Sequence, residues 1–236
     1  MKLLAFDTCF NACSVAIGVY DGAVMKTVAS RFEPMATGQA ERLLPMISQC
    51  LVGAKLSMAD ITKIAVTTGP GTFTGTRIGI SAAKGLALVN RTPIAGLSSL
   101  HLMAREAALA AHQTRDIAVI IDVRRDEVYV QTFDNTGLNP RAAPALLTLS
   151  QARELVRSTD LVLAGNGAPL VAALDRDQVH DWIEFDDCAN AADLLPDARY
   201  ALDILCFGNL SEMAVSPLYL RAADAKPSSV PALQRQ

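Results

Sequence analysis

The chain has 236 residues, 51% of them apolar, and a formal net charge of −3 from 21 Lys+Arg and 24 Asp+Glu. That length suits one large domain or two small lobes, and the slight acidity excludes a dedicated nucleic-acid module with a basic face, though not a local basic patch. Cys9, Cys13, Cys50, Cys188 and Cys206 are scattered without a C-x-x-C, so they read as reduced core thiols rather than a disulfide or zinc framework.

"MKLLAFDT" reaches Asp7 after a few apolar residues, which makes it a first strand and not a signal peptide. No apolar run reaches the ~18 residues of a membrane span, so the expectation is a soluble, cytoplasmic protein. "ACSVAIGVY" follows as a second strand, then the turn Asp21-Gly22 and a third run, "AVMKTVAS". This is a three-strand meander. "GQAERLLPMISQCLVGA" reads as a helix on which Leu43, Leu44, Met46, Ile47, Cys50, Leu51 and Ala54 cover an arc of roughly 160°. A single core contact needs only about 100°. Two readings stand: a well-buried helix, or one that packs on its own sheet and also on a partner.

"ITKIAVTTG" is the next strand, and "TTGPGTFTGTRIGI" carries Gly69, Gly71, Gly75 and Gly79 into a helix, "TRIGISAAKGLALVN". The loop matches no standard phosphate template. A P-loop needs G-x-x-x-x-G-K-[ST], and no pair of these glycines has that spacing with a following lysine. In a G-x-G-x-x-G fingerprint Thr74 stands where the third glycine belongs. Thr72, Thr74 and Thr76 are capping candidates, and free N–H groups at the helix start could hold an anion. Gly75, Gly79, Ala83 and Ala87 recur every fourth residue as a small-residue ridge that lets a backbone approach closely. Phosphate cradle and tight packing turn are both open at this point.

"PIAGLSS" is a short strand and "LHLMAREAALAAH" a helix, so the alternation favours parallel pairing in a layered α/β core. A second unit opens at "IAVIIDVRRDEVYVQTFDNTG", two strands meeting around Asp122, Arg124, Arg125, Asp126 and Glu127, a mixed charge run whose default is a solvated hairpin end. "SQARELVRS" is a helix, "DLVLAGNGA" a strand running into a Gly-Asn-Gly turn, and "AADLLPDARYALDILCFGN" a terminal helix. The Pro/Ser/Ala-rich tail is expected to fray.

"LAFDTCFNACSVAI", "ERLLPMI", "TTGPGTFTGTRIGISAAKGLAL", "IDVRRDEVY" and "SPLYLR" together resemble the bacterial TsaB (YeaZ-type) family over nearly the whole chain, Lys2 to about Arg221. The glycine-loop block is the most specific element. The resemblance implies an α/β, two-lobed actin/sugar-kinase/Hsp70-like (ribonuclease-H-like) ATPase fold with mixed sheets. It also implies a first lobe at 1–103, joined in one arrangement by the C-terminal helix, a reduced second lobe at 104–221 and a flexible tail at 222–236. By the same implication Asp7, Thr8, Gly69, Gly71, Thr72, Gly165 and Gly167 form a vestigial nucleotide-binding set. Asp7 would help position metal-bound phosphates, against the plainer reading of a carboxylate accepting backbone N–H bonds in its turn.

The catalytic relative, TsaD, carries an H-M-E-G-H metal motif after the next strand. Aligned through "PIAG", its histidines fall on Ser99 and Met103, neither a credible divalent-metal ligand in that role. His101 is alone and reads as structural; His112 and His180 lack companions at ligand spacing, so no metal site is expected. The family's "ERLLP" helix often starts with a charged or histidine-bearing turn, where this chain has Gly38.

The implied function is a non-catalytic partner subunit of the complex that forms N6-threonylcarbamoyladenosine next to the anticodon of tRNAs reading A-starting codons. It would bind and activate TsaD through Leu43, Leu44, Met46, Ile47, Cys50, Leu51 and the ridge Gly75, Gly79, Ala83, Ala87. The ATPase TsaE would join, the chain would form a homodimer without TsaD, and tRNA would be met only indirectly or weakly. No cofactor would be tightly bound, with ATP or ADP held at a partner interface. The alternative is an ATP-binding small-molecule kinase or ATPase of the same superfamily. A peptidase is disfavoured, because the chain has no G-x-S-x-G and no H-E-x-x-H.

Overall fold

The computed structural model describes residues 1–111, 114–174, 194–208 and 215–220. The meander forms as expected, with β1 (Lys2–Asp7), β2 (Ala12–Tyr20) and β3 (Met25–Pro34) antiparallel. Its second turn is an Asx turn: Asp21 Oδ1 accepts from the N–H groups of Ala23 and Val24, each at 2.9 Å. Then come α1 (Gln39–Ala54), β4 (Lys63–Thr67), α2 (Phe73–Asn90), β5 (Ile94–Leu97) and α3 (Ser99–Ala111). β4 lies parallel to β1 and β5 parallel to β4, so the first sheet runs β3-β2-β1-β4-β5.

The second lobe contains β6 (Asp116–Asp122), β7 (Glu127–Phe133), β8 (Ala145–Thr148), α4 (Leu149–Arg157), β9 (Leu161–Ala164) and α5 (Ala168–Ala173), in the sheet order β8-β7-β6-β9. β6 is antiparallel to β7 and parallel to β9, which repeats the first four strand positions of the first sheet. The fold is α/β with two mixed sheets. β8 and α5 have no clear periodic signal because each is short, four and six residues.

The core has layers. α1 and α2 cover one face of the first sheet with Leu43, Met46, Ile47 and Ala83 against Leu4, Phe6 and Val66. The other face receives α6 (Ala198–Phe207) through Ala198, Ala201, Leu202 and Ile204. Ser14 of β2 pins the start of that helix, donating to the Pro196 carbonyl at 3.2 Å and accepting from the Ala198 N–H at 3.0 Å. α3 lies between the sheets: Leu102 packs toward the first, while Leu100, Met103 and Ala107 pack on the second. A division at residue 103 therefore cuts through α3. The terminal helix begins at Ala198, later than its apolar periodicity suggests, with Asp197 as N-cap accepting from Arg199 N–H at 2.8 Å. No described helix is long and apolar enough to cross a membrane.

Candidate functional site

The glycine loop is built by close approach to the chain's own first turn. A Cβ on Gly71 would stand 2.4 Å from the Cys9 carbonyl oxygen, and one on Gly75 2.0 Å from that of Thr8. The Thr72 N–H donates to Cys9 O at 2.7 Å and Thr8 Oγ1 donates to Gly75 O at 2.7 Å. Thr72 also caps α2, accepting from Gly75 N–H at 3.1 Å. On the other side Ser99 N–H donates to Gly69 O at 3.0 Å and Leu218 N–H to Thr68 O at 2.7 Å. Two N–H groups of this turn, those of Thr72 and Gly75, are thus engaged within the chain, and the close approach of Gly71 and Gly75 to the Thr8–Cys9 backbone fixes the loop against the end of β1.

Asp7 is completely buried beneath this loop. Its carboxylate accepts from Thr67 Oγ1 and, at 3.1 Å, from the Cys9 N–H. Cys9 Sγ donates to Thr67 Oγ1 at 3.3 Å and accepts from Thr76 Oγ1 at 3.7 Å, so β1, β4 and α2 share one polar cluster. Burial dominates the acidity and raises the Asp7 carboxyl from 3.8 to about 7, against the lowering effect of its hydrogen bonds from Thr67 and Cys9. A carboxylate in this position satisfies its own turn and does not face a solvent-borne phosphate.

Across the cleft, Gly165 and Gly167 press on β6. Their Cβ atoms would come within 2.4 Å of the Ile120 oxygen and 2.8 Å of the Ile120 side chain, respectively. Of the seven residues in the vestigial nucleotide set, only Gly71 and Thr72 line the inter-lobe cavity of about 570 Å³. Sequence reasoning missed Phe10 and Asn166, which also line it; Asn166 Oδ1 accepts from Asp122 N–H at 2.8 Å. Arg124 lines the same cavity from the β6–β7 hairpin, where Arg124, Arg125 and Asp126 have φ of 65°, 60° and 58°. Three consecutive left-handed residues without glycine cost about 1–2 kcal/mol each. Arg124 N–H donating to Asp122 Oδ1 at 2.8 Å and Leu149 N–H donating to Asp126 O at 2.9 Å help hold the turn. Nothing in the charge run signals this, because arginine is not a left-handed turn former.

The partner-interface set needs correction. Leu43, Met46, Ile47, Cys50 and Leu51 are buried in the chain's own core, and Leu44 is the exception at 54% exposed. Gly75, Gly79, Ala83 and Ala87 are likewise buried, and a Cβ on Gly79 would meet Thr8 and Val66 at 2.8 and 3.3 Å. The small-residue ridge docks α2 on its own sheet. A wide apolar arc and a small ridge report burial without naming the element that covers them. The large apolar residues left to solvent on the two helices are Leu44, Val52, Phe73, Leu88 and Val89.

Ser99 Oγ donates to the Pro70 carbonyl and Met103 is buried in the second core. His101 is buried against Phe133, with ring centroids 5.0 Å apart, and its Nε2 lies 3.0 Å from Leu138 O, to which the neutral ring donates. Burial lowers its pKa to about 4 despite that bond. His112 and His180 lie outside the described residues. No cluster of three His, Cys, Asp or Glu suited to a metal occurs among the described residues.

Comparison with known proteins places this geometry. Residues 33–164 match the family profile described as TsaD, tRNA N6-adenosine threonylcarbamoyltransferase. The chain is similar to the tRNA threonylcarbamoyladenosine biosynthesis protein TsaB of Escherichia coli (strain K12), 43% identical over 140 residues, 58% of each chain. It is similar to that of Bacillus subtilis (strain 168), 30% identical over 145 residues, 61% of this chain and 60% of that one. The matched segment thus spans somewhat over half the length of these curated relatives. YeaZ from Pseudomonas aeruginosa superposes with a TM-score of 0.75 at 30% identity, covering 93% of this chain and 99% of that one. Sequence motifs, sheet order and full-length superposition converge: the chain belongs to the TsaB/YeaZ-type family.

Proposed function

We propose that this chain is a non-catalytic partner subunit in the formation of N6-threonylcarbamoyladenosine on tRNA, and that it binds and activates a TsaD-type transferase. The observation that carries the reading is the contrast between the sealed loop and the open helices. Asp7 and the glycine turn are closed by the chain's own backbone, while Leu44 and Val52 on α1 and Leu88 and Val89 on α2 stand 54–82% exposed. Exposed apolar residues on adjacent helices suit a helix-to-helix interface. In this reading TsaE joins the assembly, two copies of the chain pair when TsaD is absent, tRNA is met indirectly or weakly, and the complex works in the cytoplasm. Any ATP or ADP is held at the partner interface and not by this chain alone.

The test is reconstitution: tRNA modification is measured with this chain, with its host's TsaD-type transferase, and with both. The pair is expected to be active, and full activity of either protein alone would defeat the subunit reading. Leu44→Glu is expected to weaken association at least tenfold while leaving Tm within a few degrees, because the position is exposed. Ile47→Glu, at 3% exposure, is expected to unfold the protein by burying an unpaired charge; gel filtration and thermal melts separate the two effects. A second reading, a small-molecule kinase or ATPase, is favoured by the inter-lobe cavity of about 570 Å³, and ATP turnover by the isolated chain would support it.

A further inference from the structure

Arg77 stands on the outer face of α2, in a cluster that draws on two distant parts of the chain. Its Cζ lies 3.6 Å from the centroid of the Phe73 ring, and its Nε donates to Tyr219 Oη at 2.8 Å across 142 residues of sequence. Tyr219 in turn stacks on Phe73, with centroids 5.8 Å apart and 22° between the planes. The backbone delivers Tyr219 to this place, since Leu218 N–H is tied to Thr68 O beside the glycine loop. All three side chains are exposed. Only Nε–H is used; among the described residues the Nη hydrogens of Arg77 have no hydrogen-bond partner. A guanidinium held against an aromatic ring with its forked edge open is a preset bidentate receptor for an oxyanion.

The surroundings narrow the occupant. Lys84 follows Arg77 by seven residues within α2, which places the two on the same helix face about 10.5 Å apart along the axis, and Arg91 follows as the left-handed C-cap, with φ of 53°. No Asp or Glu occurs between Asp60 and Glu106, although the whole chain carries a net charge of −3. Leu88, 82% exposed, shares that face, eleven residues after Arg77 and so only about 20° from it around the helix. A second copy of α2 would bring like charges together. RNA would meet the cations through phosphates but leave the apolar residues uncovered. A protein helix bearing carboxylates and apolar side chains satisfies both.

We propose that Arg77, preset by Phe73 and Tyr219, takes a carboxylate of the partner protein in a bidentate pair, so that the partner presents an acidic and apolar face to α2. This rests on the partner-subunit reading and adds the chemistry of the contact. The test is calorimetric titration of the full-length chain with its host's TsaD-type transferase at low and high salt. Arg77→Ala is expected to weaken binding about 30-fold or more and to flatten the salt dependence. Arg77→Lys does not restore it, because an ammonium cannot make the fork. Tyr219→Phe keeps the ring stack, frees the guanidinium and weakens binding by about tenfold or less through lost preorganisation. Equal affinity of wild type and Arg77→Ala overturns the carboxylate pair and leaves the subunit reading standing. Wild-type affinity of Arg77→Lys overturns the bidentate geometry, and no binding by the wild type overturns both readings. If Arg77→Ala impairs RNA retention or self-association but not transferase binding, the assigned occupant is wrong.

Discussion

Gly75→Ala is expected to destabilise the protein by about 3 kcal/mol or more, the upper part of the range for overpacking a close contact. The added methyl would lie 2.0 Å from the Thr8 carbonyl oxygen, a backbone atom with no flexible end to move. Relief requires α2 to lift from β1, which breaks the bonds from Thr8 Oγ1 to Gly75 O and from Thr72 N–H to Cys9 O. Gly85→Ala, in the same helix, is expected to do the opposite. Nothing lies within 4 Å of a Cβ there, so alanine's better helix propensity adds about 0.5–1 kcal/mol. Urea denaturation at unchanged slope measures both. If Gly75→Ala were neutral, the account of the glycine loop as a close-approach device would be wrong.

The second large effect is one of pH. The carboxyl of Asp7 is raised from 3.8 to about 7, chiefly by burial. The folded state then binds one proton more than the unfolded state across that window. Stability from this group is fully present below about pH 4 and is lost as pH rises to about 7, by up to about 4 kcal/mol at 1.36 kcal/mol per unit. Asn at this position mimics the protonated acid, its oxygen accepting from Cys9 N–H and its amide donating to Thr67 Oγ1. Asp7→Asn should therefore match wild type near pH 4 and exceed it above pH 7. The difference curve should rise between those values and then stay level.

Two other groups shape the absolute profile. Glu106 is raised to about 7 by burial and by Asp197, against Arg199, and acts in the same direction. His101, lowered to about 4 by burial, acts in the opposite direction: its stability is present above pH 6.5 and lost as pH falls through 4. Subtracting the wild-type curve from the Asp7→Asn curve removes both. A flat difference would sink the assignment of a raised pKa to the buried Asp7 carboxyl.

Most of the secondary structure was legible because its signals are local. The Asp21-Gly22 turn, the alternation of β1 and β2 and the paired runs around Asp122 all lie within a dozen residues, whereas α2 starts at Phe73, three residues before its expected start, with Thr72 as the cap among three threonine candidates. The family resemblance was legible for the same reason, since the glycine block is contiguous. The glycines at 71, 75 and 79 carried a true message of close approach, but not the identity of what approaches. Only the fold shows it to be the Thr8–Cys9 backbone and the Thr8 and Val66 side chains.

The sequence by itself thus determined most of the elements, their order and the family, but not the short β8 and α5. Tertiary structure decided which faces are available. Leu43 and Leu44 are adjacent and identical in chemistry, yet one is 1% and the other 54% exposed, because a helix turns by about 100° per residue and only one side meets the sheet. The Phe73–Arg77–Tyr219 cluster was equally out of reach. Its members are up to 146 residues apart in sequence, and no periodicity links them. Chain closure brings the segment at Leu218 back to the loop at Thr68, and that return turns an ordinary exposed arginine into a preset fork on the helix surface.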